Sequence, residues 1–137
     1  MCGKKFDIID HTADVGIKAF GKSANELFEN AAKGMFHLIQ GGSQVEAVET
    51  HYIQLENREL DELLVDWLSE LNFLHQTEMV LFSEFNVQIE EDGLQAEVKG
   101  ERLDNDIHKV QMEIKAVTYH MLDVNLEKGF AQVLFDI

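Results

Sequence analysis

FNVQIEEDGLQAEV, residues 85–98, decides how the rest of the chain is read. Phe85, Val87 and Ile89 alternate with Asn86 and Gln88, and beyond Glu91-Asp92-Gly93 the residues Leu94, Ala96 and Val98 alternate back. A period of two on both sides of a tight turn predicts an antiparallel hairpin. Downstream, Lys115 to Asn125 and Phe130 to Ile137 read as a last antiparallel pair joined by the turn Glu127-Lys128-Gly129. Upstream, residues 45 to 55 read as a strand whose alternation falters at Thr50 and His51. Residues 4 to 10 read as a first strand, and Val15 to Phe20 as a second closed by Gly21. Asp10 to Asp14 is then a loop or bulge between those two.

Two segments change period. After Ser23, the residues Leu27, Phe28, Ala31, Ala32, Met35, Phe36 and Ile39 recur at helical spacing up to Gly41-Gly42. Ser23 and Glu26 form a capping box, in which the hydroxyl takes the Glu26 amide and the Glu26 side chain bonds back to the Ser23 amide. Glycine at the far end suits a left-handed C-cap. The second helix carries Leu60, Leu63, Leu64, Trp67, Leu68, Leu71 and Leu74 on one face, with Asn57 as its N-cap and an acidic solvent side. Strands and helices do not alternate as parallel units require. The expected class is α+β, two helices packed on a mainly antiparallel sheet.

At 137 residues the chain fits one domain, residues 1–137, and can bury a core. Eleven Lys and Arg face 26 Asp and Glu, a formal net charge of -15. Such a surface repels polyphosphate, so autonomous nucleic-acid binding through a basic groove is not expected. The single cysteine, Cys2, permits no internal disulfide, and it could act as a nucleophile only if the terminus were ordered. No apolar run approaches the length of a membrane span or a signal peptide, and the expectation is a soluble, cytoplasmic protein.

Familiar catalytic patterns are missing. No phosphate loop or G-x-G-x-x-G occurs, and Asp104-Asn105-Asp106 lacks the ligand alternation of a calcium helix-loop-helix. The six histidines, at 11, 37, 51, 75, 108 and 120, show no zinc-binding spacing. His37 and His75 read as packed helix residues, and Lys99, Lys109 and Lys115 as solvated. His11 and Asp14 could pair as acid and base, although an Asp and a His in a loop more often cap turns.

The two chain ends carry the chemistry worth weighing. His11-Thr12-Ala13-Asp14-Val15-Gly16 and Phe135-Asp136-Ile137 each place one carboxylate beside an apolar, strand-like run. The second also sets a terminal carboxylate one residue beyond Asp136. If the fold brings them together, three oxygen-rich groups converge, which is the ligand chemistry of a hard divalent cation. An inward Asp136 without a partner would carry a desolvation cost. A cation or an outward, strand-edge position would each remove it.

The chain resembles the archease family, small acidic proteins that assist the GTP-dependent ligase of tRNA splicing. HTADVGIKAFG, SANELFENAAKGMFHLI, LDELLVDWLSELNFL, IHKVQMEIKAVTYHML and the terminal VLFDI carry the resemblance nearly end to end. It implies a strand-helix-strand-strand α+β fold and no independent turnover. It implies an accessory protein that promotes ligase guanylylation and multiple turnover. It implies a divalent cation, Ca2+ in the first place with Mg2+ or Mn2+ as alternatives, held by Asp14, Asp136 and the terminal oxygens of Ile137. His11, Lys115 and His120 fall inside family motifs without an assigned role. Two other readings stay open: a stand-alone metal-dependent phosphoester hydrolase, and a general chaperone with an extended apolar patch.

Overall fold

The computed structural model describes residues 4–11 and 14–137, with His11 described by its backbone. Cys2 and the Thr12-Ala13 pair lie outside the described residues. The order along the chain is β1 (Phe6–His11), β2 (Asp14–Phe20), α1 (Ala24–Gln40), β3 (Glu49–Glu56), α2 (Leu60–Glu78), β4 (Val80–Glu90), β5 (Gly93–Arg102), β6 (Ala116–Val117), β7 (Asp123–Asn125) and β8 (Phe130–Asp136). All strand pairs are antiparallel, in a five-stranded sheet β1-β2-β8-β6 with β7 also on β8, and a three-stranded sheet β3-β5-β4. The α+β expectation holds, with the strands divided between two sheets.

The hairpin at 85–98 forms as its alternation predicts, in register Glu90↔Gly93 around Glu91-Asp92. Gly93 sits at φ 137, and a Cβ there would run into the Leu55 carbonyl of β3. Glycine is required by that close approach. The free edge of β4 is closed by α1. The Val87 N–H donates to Glu29 Oε2 at 2.8 Å and the Ile89 N–H to Asn25 Oδ1 at 2.9 Å. Side chains thus take the place of a further strand and protect an edge that would otherwise template pairing.

The helix α1 lies between the sheets, with its buried stripe on β2 and β4. It comes close to β1 and β2 at Gly34, where a Cβ would press on Ile17 and Phe6. Phe36, Phe82, Phe85 and Trp67 pack edge-to-face or tilted at 5.5–6.4 Å in the core. The buried Trp67 indole donates to the Phe28 carbonyl of α1 at 2.9 Å, which locks the two helices in register.

Four local expectations are corrected. The Ser23 hydroxyl accepts from the Glu26 N–H at 3.1 Å, but Glu26 Oε1 accepts from the Lys22 N–H at 2.6 Å and not from Ser23. The N-cap of α2 is Glu59, without a side-chain bond; Asn57 instead donates to the Glu91 carbonyl at 3.0 Å, a tertiary contact that outcompetes the local one. Asp10 and Asp14 belong to β1 and β2, which pair from Phe6↔Ala19 through His11↔Asp14, so both are strand residues and not loop residues. Lys115 to Asn125 is not one strand. Residues 118–122 leave the sheet between β6 and β7, where Met121 adopts φ 56. Their departure is stitched down by Thr118 N–H and Oγ1 donating to the Leu134 carbonyl at 3.0 and 3.1 Å and by Gln132 Nε2 donating to the Met121 carbonyl at 2.9 Å.

Candidate functional site

Strand β8 is central in its sheet. β2 takes one edge over its full length, while β6 and β7 share the other, β6 at Phe135–Asp136 and β7 at Phe130–Gln132. This layering places the two carboxylates singled out by sequence. Asp14 and Asp136 are direct cross-strand partners, the last step of the β2–β8 ladder. The row continues on both sides, His11 pairing Asp14 and Ala116 pairing Asp136.

The alternation decides which face they share. Val15, Ile17 and Ala19 are buried against α1 with Phe135, Val133 and Ala131 opposite them. Asp14 and Asp136 therefore stand on the other face. Opposed residues of an antiparallel pair have Cβ atoms about 5 Å apart, and like charges at that spacing destabilise the pair. Asp14 is half-buried and Asp136 exposed. Asp136 thus escapes the burial cost weighed above by pointing outward, yet β8 is no edge strand. Ile137 follows directly and is 42% exposed.

The donor set suits a hard cation. Two carboxylates in one row, with a third one residue beyond if the chain ends at Ile137, supply only oxygen ligands, which favours Ca2+, Mg2+ or Mn2+ over zinc. Among the described residues no three His, Cys, Asp or Glu side chains gather as a cluster of their own. The backbone around Asp136 is tied on both sides, because the Lys115 N–H donates to the Asp136 carbonyl at 2.7 Å and β2 pairs from the opposite side. Gly16 lets the ladder close two residues from Asp14: a Cβ there would collide with Leu134 Cδ2 and the Val133 carbonyl.

Of the other residues named from sequence, His11 and Lys115 reach the row through their backbones, as the partner of Asp14 and as the donor to the Asp136 carbonyl. His120 is exposed and its N–H donates to Thr118 Oγ1 at 3.3 Å. His37 is exposed against the Phe6 ring at 5.5 Å, so it is less packed than its helical position suggests. His75 is half-buried, its Nδ1 at 3.0 Å from the Val80 carbonyl and its ring edge-on to Phe36. His108 carries a structural role that sequence spacing did not reveal. Its Nδ1 accepts the Asp104 N–H at 3.0 Å, which leaves Nε2 to donate to Glu101 Oε2 at 3.0 Å. The Glu46 N–H and then His108 hold the Glu101 carboxyl below the usual carboxylate range.

Comparison with known proteins agrees with this architecture. The model of the Archease protein family (MTH1598/TM1083) matches residues 6–137. Protein archease of Methanothermobacter thermautotrophicus is 41% identical over 141 residues, covering 98% of this chain and 99% of that one. Protein archease of Sulfurisphaera tokodaii is 38% identical over 133 residues, covering 96% and 95%. Among solved structures, Methanobacterium thermoautotrophicum protein 1598 superposes with a TM-score of 0.83 at 39% identity, covering 97% of this chain and 99% of that one. A Thermotoga maritima archease, described as a possible chaperone, superposes with a TM-score of 0.65 at 21% identity and 94% coverage of each chain, a likeness of fold. No helix among the described residues is long and apolar enough to cross a membrane.

Proposed function

We propose, for a chain that belongs to the archease family, that it serves as an accessory protein of a GTP-dependent tRNA-splicing RNA ligase and performs no turnover of its own. It promotes guanylylation of the ligase and sustains multiple turnover. The observation that carries this reading is the direct pairing of Asp14 with Asp136 at the chain-terminal end of the β2–β8 ladder. Two carboxylates in one solvent-facing row, next to Ile137, present their charge outward, where a partner's active site could meet it. In this reading Asp14, Asp136 and the terminal carboxylate of Ile137 hold a divalent cation, with Ca2+ first and Mg2+ or Mn2+ as alternatives. When bound, the cation supplies charge for phosphoryl-group chemistry, where positioning and electrostatic stabilisation dominate.

The chain's own residues do the rest. β2 and β6 clamp β8 on both edges, which keeps the Asp136 backbone from shifting as a partner docks. The acidic remainder of the surface disfavours independent RNA binding and leaves the RNA to the partner. The experiment mixes the cognate ligase, GTP and a divalent cation with and without this protein. Faster ligase guanylylation and more product per ligase are expected. Unchanged values for both would reject the reading. Metal-dependent phosphoester cleavage by the protein alone, lost in Asp14→Ala, would favour the hydrolase instead.

A further inference from the structure

The basic side chains of this acidic protein are gathered, not scattered. Lys4, Lys5, Lys22, Lys33 and Lys128 line one concavity of about 840 Å³. That is five of the eleven Lys and Arg, accompanied by only three of the 26 Asp and Glu: Glu26, Glu29 and Glu127. Two of these carboxylates are already engaged by backbone, Glu26 with the Lys22 N–H and Glu29 with the Val87 N–H. Lys4 is paired with Asp7 at 3.0 Å, which leaves four lysines against three carboxylates, so the concavity is still net positive while the whole chain stands at -15.

Its walls are held by the fold. The Phe20 N–H donates to the Lys5 carbonyl at 2.8 Å and the Gly21 N–H to the Gly129 carbonyl at 3.2 Å, joining the approach to β1, the end of β2 and the turn before β8. Asn30, buried on α1, donates to the Phe20 carbonyl at 2.6 Å and fixes the helix against the same corner. Asn125 closes the far wall by accepting the Lys128 N–H at its side chain and the Gly129 N–H at its carbonyl, both at 2.9 Å. Lys33 reaches in from α1, half-buried. Burial first, then the Lys5 ammonium beside it, pull its pKa down. Two cations held together by rigid walls cost energy that a bound anion would relieve.

We propose that this basin binds a small polyphosphate anion, with a nucleoside triphosphate and free tripolyphosphate as its two possible sources. The lining sets five separate ammonium donors around a space of about 840 Å³, more room than one inorganic phosphate fills. Lysine is a point-charge donor that suits tetrahedral phosphate oxygens. A compact anion is enclosed by the lysines, and the distant acidic charges are screened beyond about 8 Å at physiological salt. An extended nucleic acid would have to lie across that acidic surface. Phe20 and Leu126 add an apolar flank that a nucleobase could cover. The basin sits at the Phe20↔Phe130 end of the β2–β8 ladder, about 20 Å from Asp14 and Asp136 by strand geometry, so the two sites can be tested apart.

Calorimetric titration of the full chain in metal-free buffer with inorganic phosphate, tripolyphosphate and GTP tests the proposal. Tripolyphosphate is expected to bind about tenfold or more tighter than phosphate. The double substitution Lys5→Gln with Lys33→Gln should weaken it about tenfold, whereas Lys99→Gln with Lys109→Gln should not. Asp14→Ala with Asp136→Ala should leave it unchanged, which separates this outcome from failure of the ligase-accessory reading. Tighter binding of GTP than of tripolyphosphate identifies the nucleotide as the source, and equal binding identifies the free polyphosphate. If the Lys5/Lys33 variant loses its thermal transition, Lys22→Gln with Lys128→Gln, both on exposed side chains, replaces it. Absence of tripolyphosphate binding, indifference to the lysine substitutions in a folded variant, or stronger binding of an RNA oligonucleotide would each overturn the proposal.

Discussion

At one end of the β2–β8 ladder two aspartates face each other across the strands; at the other, lysines from the approach to β1, from α1 and from the turn before β8 crowd one concavity. The two ends gather charge in different ways. The acidic end is a matter of register, since Asp14 and Asp136 meet because antiparallel pairing aligns residue with residue. The basic end is a matter of convergence, since its lysines belong to separate elements that share no periodic pattern. A register site fails if the ladder slips by one residue, which would send a carboxylate to the core face. A convergent site loses strength by degrees as single charges are removed.

The largest effect is expected where both ends depend on the same ladder. Gly16→Val would push a branched side chain into Leu134 and the Val133 carbonyl, between the two sites. A loss of roughly 2–4 kcal/mol is expected, read as a lower urea midpoint, with both cation and polyphosphate binding weakened. An unmoved midpoint would mean that the ladder is not what holds the two ends apart.

The next test separates the ends. Asp14→Asn with Asp136→Asn should cut calcium affinity by about 100-fold, roughly the 2.7 kcal/mol that a cation at 100 times its Kd adds to wild-type stability. Calcium should therefore raise the melting temperature of wild type more than that of the double variant. Thermal melts with and without calcium read the difference. Wild-type calcium affinity in this variant would show that the row only completes the sheet.

A C-terminal extension sharpens the same end. Replacing the terminal carboxylate by an amide carbonyl should weaken calcium by about tenfold while polyphosphate binding stays unchanged. An N-terminal extension should leave calcium binding nearly intact, and equal losses from both would point to bulk as the cause.

The smallest effect belongs to the basic end. Lys33 has a folded-state pKa below the 10.5 of the unfolded chain. Between those two values the unfolded state binds more protons, so stability rises with pH through that alkaline window. The difference in urea midpoint between wild type and Lys33→Met should therefore shrink as pH climbs toward the upper bound. A gap that stays constant would show that Lys33 is not held under strain by burial and Lys5.

How far these features could be read in advance depended on how local their causes are. The helix α1 was legible nearly residue by residue, because the Ser23 cap, the apolar period and the positive φ that glycine permits at Gly41 are all short-range. The 85–98 hairpin was legible for the same reason. The start of α2 was not, because Asn57 is drawn to Glu91 by the return of the β4–β5 turn. The break in 115–125 was hidden as well. Its residues have strand propensity, but β8 offers edge positions only at Phe135–Asp136 and at Phe130–Gln132, and Leu134 is bonded by Thr118 in between.

Local patterns were enough for the class of the fold, the two helices, the central hairpin and the strand-like runs beside Asp14 and Asp136. These follow from periods of two and 3.6 and from caps, whose energies act within a few residues. The packed fold was needed to put the two aspartates on one rung, to set Ser23 and Glu26 on different amides, and to bring five lysines into one basin. Register between the two ends of the chain, and the meeting of side chains from separate elements, are set by how α1 and the sheets pack. No local pattern encodes that packing.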